Sequence, residues 1–303
     1  MNGQFRKQIS GWMLLLVLVA AIQGQDHKHE HGDKEVEPKI APPKIFLDKS
    51  LRIVQYQLKR LDNQRLLMVE RKTDDAKYTP VYAAILTRAG MSRQYRDEAL
   101  LGLVALEKTD GATELLKALE SMDAEDLQQQ RTGRQLATML LGLPAGVLGE
   151  KKQALIEVTE SESQLARSAG YAGLIGAGHS ADAWQIGRQK SQGTLDLLTA
   201  IGWLPKPGQR SEQRDRIVEL ITGKAAPRVV RKQAIETLAV VPSQQQETFE
   251  LLVPFVANVE YRTEAVRTLL TVPVKERDAG LSQGVVDVLV KYAEATPAAK
   301  RTT

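Results

Sequence analysis

The apolar positions of this chain recur with the spacing of amphipathic helices. Leu51, Val54, Leu58 and Leu61 lie at positions 0, 3, 7 and 10 of one stretch, which places them on one helix face. A second stripe follows Ser243, which with Gln246 has the spacing of a capping box at a helix start. No segment sustains the alternation of apolar and polar residues that is typical of a half-buried strand. The pattern predicts an all-α protein from residue 44 onwards.

A short motif, Arg-x-x-Ala-x-x-x-Leu, recurs along this helical region. It begins at Arg96, Arg134, Arg231 and Arg262, and at Arg167 with Gly170 in the place of Ala. The intervals of 38, 33, 64 and 31 residues fit one period if a degenerate copy lies within residues 193–204. Such a period, with two helices per unit, is typical of an α-solenoid.

The spacing of this motif has a physical reason. Residues 0, 3 and 7 share a helix face, so the small residue lies where a neighbouring helix crosses closest and the Leu fills the space beside it. The Arg is expected near the turn between helices, donating to exposed carbonyls of the preceding unit. We expect a right-handed α-solenoid of about six HEAT-like helical pairs over residues 44–303.

The motif also carries a family resemblance. "PRVVRKQAIETL", residues 227–238, resembles the second helix of the HEAT repeat, and Pro254 is similarly placed to the proline that kinks its first helix. The Asp usual in that repeat is replaced by Ala225. Residues 44–88 resemble the start of a repeat region in bacterial envelope proteins that also carry an azurin-like or c-type cytochrome domain. This resemblance implies an envelope electron-transfer assembly with a cytochrome or cupredoxin partner.

The N-terminal residues predict the compartment. Arg6 and Lys7 precede an apolar run over residues 11–22, which is the length of a signal peptide and shorter than a membrane-spanning helix. We expect a signal peptide over residues 1–24, no membrane span after its cleavage, and a periplasmic or secreted protein.

Residues 25–43 contain few apolar side chains and end in a Pro pair, so they predict a disordered linker. His27, His29 and His31 alternate within it, and imidazoles so spaced can chelate Cu or Ni. Cleavage after Gly24 would make His27 the third residue, which suits Cu(II) binding by amine, amide and imidazole. Because nothing encloses these side chains, the pattern predicts weak metal binding and no catalytic site.

Composition excludes several classes of protein. The chain has no Cys, which excludes disulfides, thiolate metal sites and attachment of a c-type haem. Its formal net charge of +4 falls to about +2 when Arg6 and Lys7 leave with the signal peptide. No basic stripe accompanies this small charge, so nucleic acid is not an expected partner.

Two stretches suggest chemistry without completing a site. The segment from Glu162 resembles part of the lytic transglycosylase pattern, but its spacing is too short and Glu162 has no partner to raise its pKa for acid catalysis. "GAGHSA", residues 176–181, follows a helical pattern, whereas a dinucleotide site requires a strand there. Its Gly residues predict a helix end and a turn. His179, alone in this stretch, is expected to be a turn residue.

The last helical stretch is apolar over more than one face. Residues 285–295 present an apolar arc of roughly 220°, whereas one packed face needs somewhat over 100°. We therefore expect Val286, Val290 and Ala293 to form a docking surface. The sequence favours an exported, non-catalytic HEAT-repeat scaffold. The alternatives are a glycan-acting enzyme with a groove site on a helical superhelix, and a periplasmic copper- or nickel-handling protein that uses the His-rich tether.

Overall fold

A computed structural model describes residues 41–296 of the chain. The described residues form helices joined by turns and contain no strand, so the all-α class is confirmed. The predicted signal peptide and most of the predicted linker, including His27, His29 and His31, lie outside the described residues.

The helices follow the chain in this order: α1 (Leu51–Lys59), α2 (Asn63–Leu67), α3 (Thr79–Thr87), α4 (Arg93–Glu107), α5 (Gly111–Glu120), α6 (Leu127–Leu141), α7 (Ala145–Glu150), α8 (Lys152–Val158), α9 (Gln164–Gly176), α10 (Ser180–Gly187), α11 (Ser191–Ile201), α12 (Pro207–Ser211), α13 (Arg214–Thr222), α14 (Arg228–Leu238), α15 (Gln245–Ala257), α16 (Arg262–Thr271) and α17 (Ala279–Ala295). Two 3-10 helices, Ala76–Tyr78 and Val274–Glu276, precede α3 and α17. None of the described helices is both long enough and apolar enough to cross a membrane.

Most helices pack in consecutive pairs. The pairs are α3 with α4, α5 with α6, α8 with α9, α10 with α11, α13 with α14, and α15 with α16. The second helices also contact one another in chain order, from α6 through α9, α11 and α14 to α16. At the ends of the described chain, α1 packs on α3 and α17 packs on α15. Each pair from α5 onwards therefore packs against the next.

Side-chain caps set several helix starts. Asp110 accepts a hydrogen bond of 3.1 Å from the Thr113 amide before α5, and Asp278 accepts one of 2.7 Å from the Leu281 amide before α17. The predicted capping box at Ser243 is wrong. Gln244 is the residue before α15, it adopts a left-handed conformation with φ of 51°, and no side-chain cap is formed there. The chain turns one residue later than the pattern predicts, which removes Ser243 from the capping position.

The small residues of the motif lie where helices meet, as expected. Ala99, Ala137, Ala234 and Ala265 are buried, as are the Leu residues one turn further along each helix. In α9 a Cβ atom added to Gly170 would lie 2.6 Å from Val158 Cγ1 and 2.8 Å from the Leu155 carbonyl oxygen. This approach of α8 to α9 explains why Gly replaces Ala in that copy.

Four of the five motif arginines hold the end of a helix. Arg262 Nε donates to the Val256 carbonyl at 2.8 Å, and Arg231 Nη2 donates to the Gly223 carbonyl at 2.5 Å. Arg96 and Arg167 bond the turns after α3 and α8 in the same way. These carbonyls lie in the last turn of the first helix of the same pair or just after it, so the prediction that they belong to the preceding unit is wrong.

The other two copies depart from this pattern. Arg134 is exposed, and its Nη2 atom lies 3.5 Å from the Gly202 carbonyl. In the degenerate copy, Thr194, Leu197 and Ile201 take positions 0, 3 and 7 of α11. Thr194 Oγ1 donates to the Gly187 carbonyl at 2.9 Å, at the end of α10. A hydroxyl thus makes the contact that an arginine makes elsewhere.

Candidate docking surfaces

Helix α17 is held to the body along one side. Val285, Val288 and Leu289 are partly buried and pack against the core. The guanidinium carbon of Arg262 lies 4.0 Å from the ring centroid of Tyr292, which adds a cation–π contact between α16 and α17. These contacts fix which side of α17 faces outwards.

The outward side of α17 is apolar. Val286 is 51 % exposed, Val290 is 48 % exposed, and Ala293 is also exposed. Their spacing of four and three residues makes one stripe along the helix, which we call the α17 outer face. The structure therefore accounts for the broad apolar arc of residues 285–295 with one packed side and one exposed side. A docking role for the outer face stays a prediction.

Charged residues border the α17 outer face on one side. Asp287, Lys291 and Glu294 are exposed and follow one another at four and three residues, so they lie along one flank of the stripe. Gln283 Nε2 donates to Asp287 Oδ1 at 2.8 Å. The flank presents alternating negative, positive and negative charge.

A concave surface lies near the other end of the described chain. A cleft of about 650 Å³ is lined mainly by residues of α1, α3 and α5, including Leu51, Ala83, Ala84 and Ala118. Its lining is mostly apolar, with Lys59 and Glu107 among the polar residues. The sequence pattern does not predict this cleft. The adjacent small residues Ala83 and Ala84 are the only local signal, because the cleft depends on how far α1 and α5 lie apart.

The acidic groups of the cleft are engaged within the fold. Glu114 is buried, and its Oε1 atom accepts hydrogen bonds from Thr109 Oγ1 at 2.7 Å and from Lys117 Nζ at 2.8 Å. The bond to Glu114 raises the pKa of Lys117. Glu107 Oε1 accepts from Thr79 Oγ1 at 3.0 Å. Both carboxylates are therefore explained by hydrogen bonds within the fold.

The two sequence segments that resemble enzyme motifs lie at turns and helix ends. Glu162 is exposed in the turn before α9, and its carbonyl accepts from Arg167 Nη1 at 2.8 Å. Gly178 has φ of 87°, and the His179 amide donates to the Leu174 carbonyl at 2.8 Å. This geometry ends α9 in the way that the glycines of "GAGHSA" predict. His179 precedes α10, where its Nδ1 atom lies 3.7 Å from Asp182 Oδ2.

Within residues 41–296, no cluster of three or more His, Asp or Glu side chains is arranged to hold a metal ion. The predicted ligands His27, His29 and His31 precede that range. Their part in metal binding stays a prediction.

Comparisons with known proteins add no relative. No family model matches the chain, and neither a curated protein nor a solved structure matches it. The likeness to the HEAT repeat and to envelope proteins rests on the motif residues of the sequence.

Proposed function

We propose that this protein is an exported, non-catalytic scaffold. It is a right-handed α-solenoid of about six HEAT-like helical pairs. It docks a protein partner in an envelope assembly, for which the resemblance suggests a cytochrome or cupredoxin. The α17 outer face is the docking surface.

The order of helix contacts supports the solenoid. Six consecutive pairs pack one on the next, and the second helices touch in chain order from α6 to α16. In a repeat protein each unit contacts its neighbours only and exposes an extended surface. Such a chain is suited to holding partners rather than to enclosing a reaction.

Ion pairs between segments that are distant along the chain support a scaffold. Arg71, in the loop after α2, donates from Nε to Glu98 in α4 at 2.8 Å, and Lys232 of α14 lies 2.9 Å from Glu264 of α16. In both cases the acid stands two residues after a motif Arg on its helix. These ion pairs tie the loop after α2 to α4, and α14 to α16.

The exposed α17 outer face is the observation that carries the docking function. A helix side that only solvent covers is expected to be polar. Here Val286 and Val290 are about half exposed instead. Exposed apolar residues arranged as a stripe are typical of a protein interaction site.

The double variant Val286→Lys/Val290→Lys tests this proposal. We expect it to keep the helical circular dichroism and melting temperature of the wild type, and to lose docking of a purified partner or of a second copy. Val259→Lys is the matched control, since Val259 is 76 % exposed and lies in the turn between α15 and α16, outside the α17 outer face. If the double variant unfolds, the outer face is core. If it folds and docks like the wild type, the proposal is wrong.

A further inference from the structure

We infer that the α17 outer face pairs with the same face of a second copy of this chain, with the two α17 helices antiparallel. The inference rests on the proposed docking function of that face and assigns the face to a second copy, so a cytochrome or cupredoxin would dock elsewhere on the chain. The rest of each copy, including the cleft lined by α1, α3 and α5, stays free for a partner of another kind.

The first support is the register of the apolar stripe. We place a twofold axis level with residue 289. It brings residue i of one copy level with residue 578 − i of the other copy, and both copies carry the same numbering. Val286 then lies between Ala293 and Val290 of the second copy, and Val290 lies beside Val290. The apolar side chains of the two copies alternate along the interface, as knobs from one helix enter spaces on the other.

The second support is the charge on the flank. The same twofold axis places the charged flank of each copy beside the charged flank of the other. In this register Asp287 of each copy lies opposite Lys291 of the other, so two ion pairs form. Glu294 lies opposite Gly284 and meets no like charge. The flank is therefore complementary to itself.

Charge also selects the direction of the helices. A symmetric parallel pair would place the two charged flanks on opposite sides of the interface, so neither ion pair could form. The antiparallel pair places the two flanks side by side and allows both ion pairs. Within the described residues Lys291 makes no ion pair, so its ammonium group is free to reach a second copy.

The size of the stripe sets the strength of the dimer. Seven residues of helix rise about 10 Å, so the contact is much smaller than a standard interface of about 1,600 Å². We expect a weak and reversible dimer, observable between about 1 µM and a few hundred µM.

Sedimentation equilibrium of the purified full-length chain provides the test. We expect a monomer–dimer equilibrium for the wild type. Asp287→Lys and Lys291→Asp should each weaken it about tenfold or more, because both ion pairs become repulsions. The double exchange Asp287→Lys/Lys291→Asp should restore it, and an equimolar mixture of the two single variants should dimerise. Val259→Lys should leave it unchanged.

Introduced cysteines test the direction independently, since the chain has none of its own. A mixture of the Asp287→Cys and Lys291→Cys variants should form a mixed disulfide faster than either variant forms one with itself. Faster formation of a disulfide between two Asp287→Cys chains would overturn the antiparallel register.

Several results would overturn the inference. One is a wild type that stays monomeric throughout this concentration range; another is a double exchange that fails to restore the dimer. Open-ended oligomers that are abolished by Tyr56→Lys on α1 would show end-to-end contact instead. If the wild type is monomeric but Val286→Lys/Val290→Lys still abolishes docking of a different protein, only this inference fails and the proposed function stands.

Discussion

Arg167 in α9 and Asp196 in α11 form a buried link between successive helical pairs. Arg167 Nε donates to Asp196 Oδ2 at 2.6 Å, and the Asp196 side chain is 0 % exposed. Gln192 Nε2 donates to the other carboxylate oxygen at 3.1 Å. Arg167 Nη1 also donates to the Ser161 carbonyl at 2.9 Å. One side chain therefore bonds both the turn within its own helical pair and α11 of the next pair.

Removal of Arg167 is expected to be strongly destabilising. Arg167→Leu leaves the Asp196 carboxylate buried without its cation, which costs about 3–5 kcal/mol in the free energy of unfolding. Urea unfolding measures this loss. Arg228→Leu is the control, because its pair with Glu260 is about half exposed on both sides and contributes at most about 1 kcal/mol. Equal losses in the two variants would contradict a special role for the buried link.

Gly170→Ala is expected to destabilise the protein although it restores the Ala of the motif. The added methyl group overlaps the Leu155 carbonyl and Val158. We expect this overpacking to cost about 1–3 kcal/mol, more than the roughly 1 kcal/mol that Ala gains over Gly in a helix. Gly146→Ala in α7 is the matched control, because nothing lies within 4 Å of its added Cβ. Thermal unfolding should show a decrease for Gly170→Ala and an increase for Gly146→Ala; an increase for both would contradict the close helix crossing.

Stability at alkaline pH is expected to depend on Tyr171. Burial raises the pKa of Tyr171 from 10.0 to about 12. The folded state therefore retains a proton that the unfolded state loses, so the stabilising contribution is complete below pH 10 and disappears as the pH rises towards 12. A pKa raised from 10.0 to about 12 corresponds to about 3 kcal/mol in the free energy of unfolding.

Urea unfolding at pH 9 and at pH 11.5 measures this effect. The wild type should lose more free energy of unfolding between the two values than Tyr171→Phe, which has no phenol to titrate. Comparison of the two proteins cancels the titration of exposed lysines. An equal loss in both proteins would show that Tyr171 titrates normally.

Copper binding is expected to reside in the predicted linker. Deletion of residues 25–43 should remove most of the weak Cu(II) binding, because His27, His29 and His31 leave with it. The melting temperature should stay unchanged, since we expect the segment to bury no core. Isothermal titration and thermal unfolding measure the two properties. Full-strength copper binding after the deletion would place the metal site within residues 44–303.

The sequence predicts well those features of the fold that depend on the spacing of residues along a single helix face. Ala234 and Leu238 repeat at Ala265 and Leu269 because the same two positions of each second helix face the core, and all four residues are buried. What the sequence does not predict depends on neighbours that are distant along the chain. Thr194 replaces an arginine without a visible pattern, because a short hydroxyl reaches the Gly187 carbonyl where α10 and α11 lie close.

The candidate sites also differ in how far the sequence predicts them. The outer face of α17 could be predicted because its second apolar stripe is written within eleven residues of sequence. The cleft lined by α1, α3 and α5 could not, because it depends on the spacing of three helices. The Arg167–Asp196 link joins residues 29 apart, and local periodicity contains no information on that pairing.

Site-specific photo-cross-linking in cells tests the docking role most directly. A photoreactive amino acid replaces Val290 in one version of the protein and Val259 in another, and mass spectrometry identifies what each captures. We predict that position 290 forms a covalent adduct with one defined protein, a second copy of this chain or another envelope protein, and that position 259 forms none. A folded, exported protein whose position 290 captures nothing, or captures the same mixture as position 259, would contradict the account.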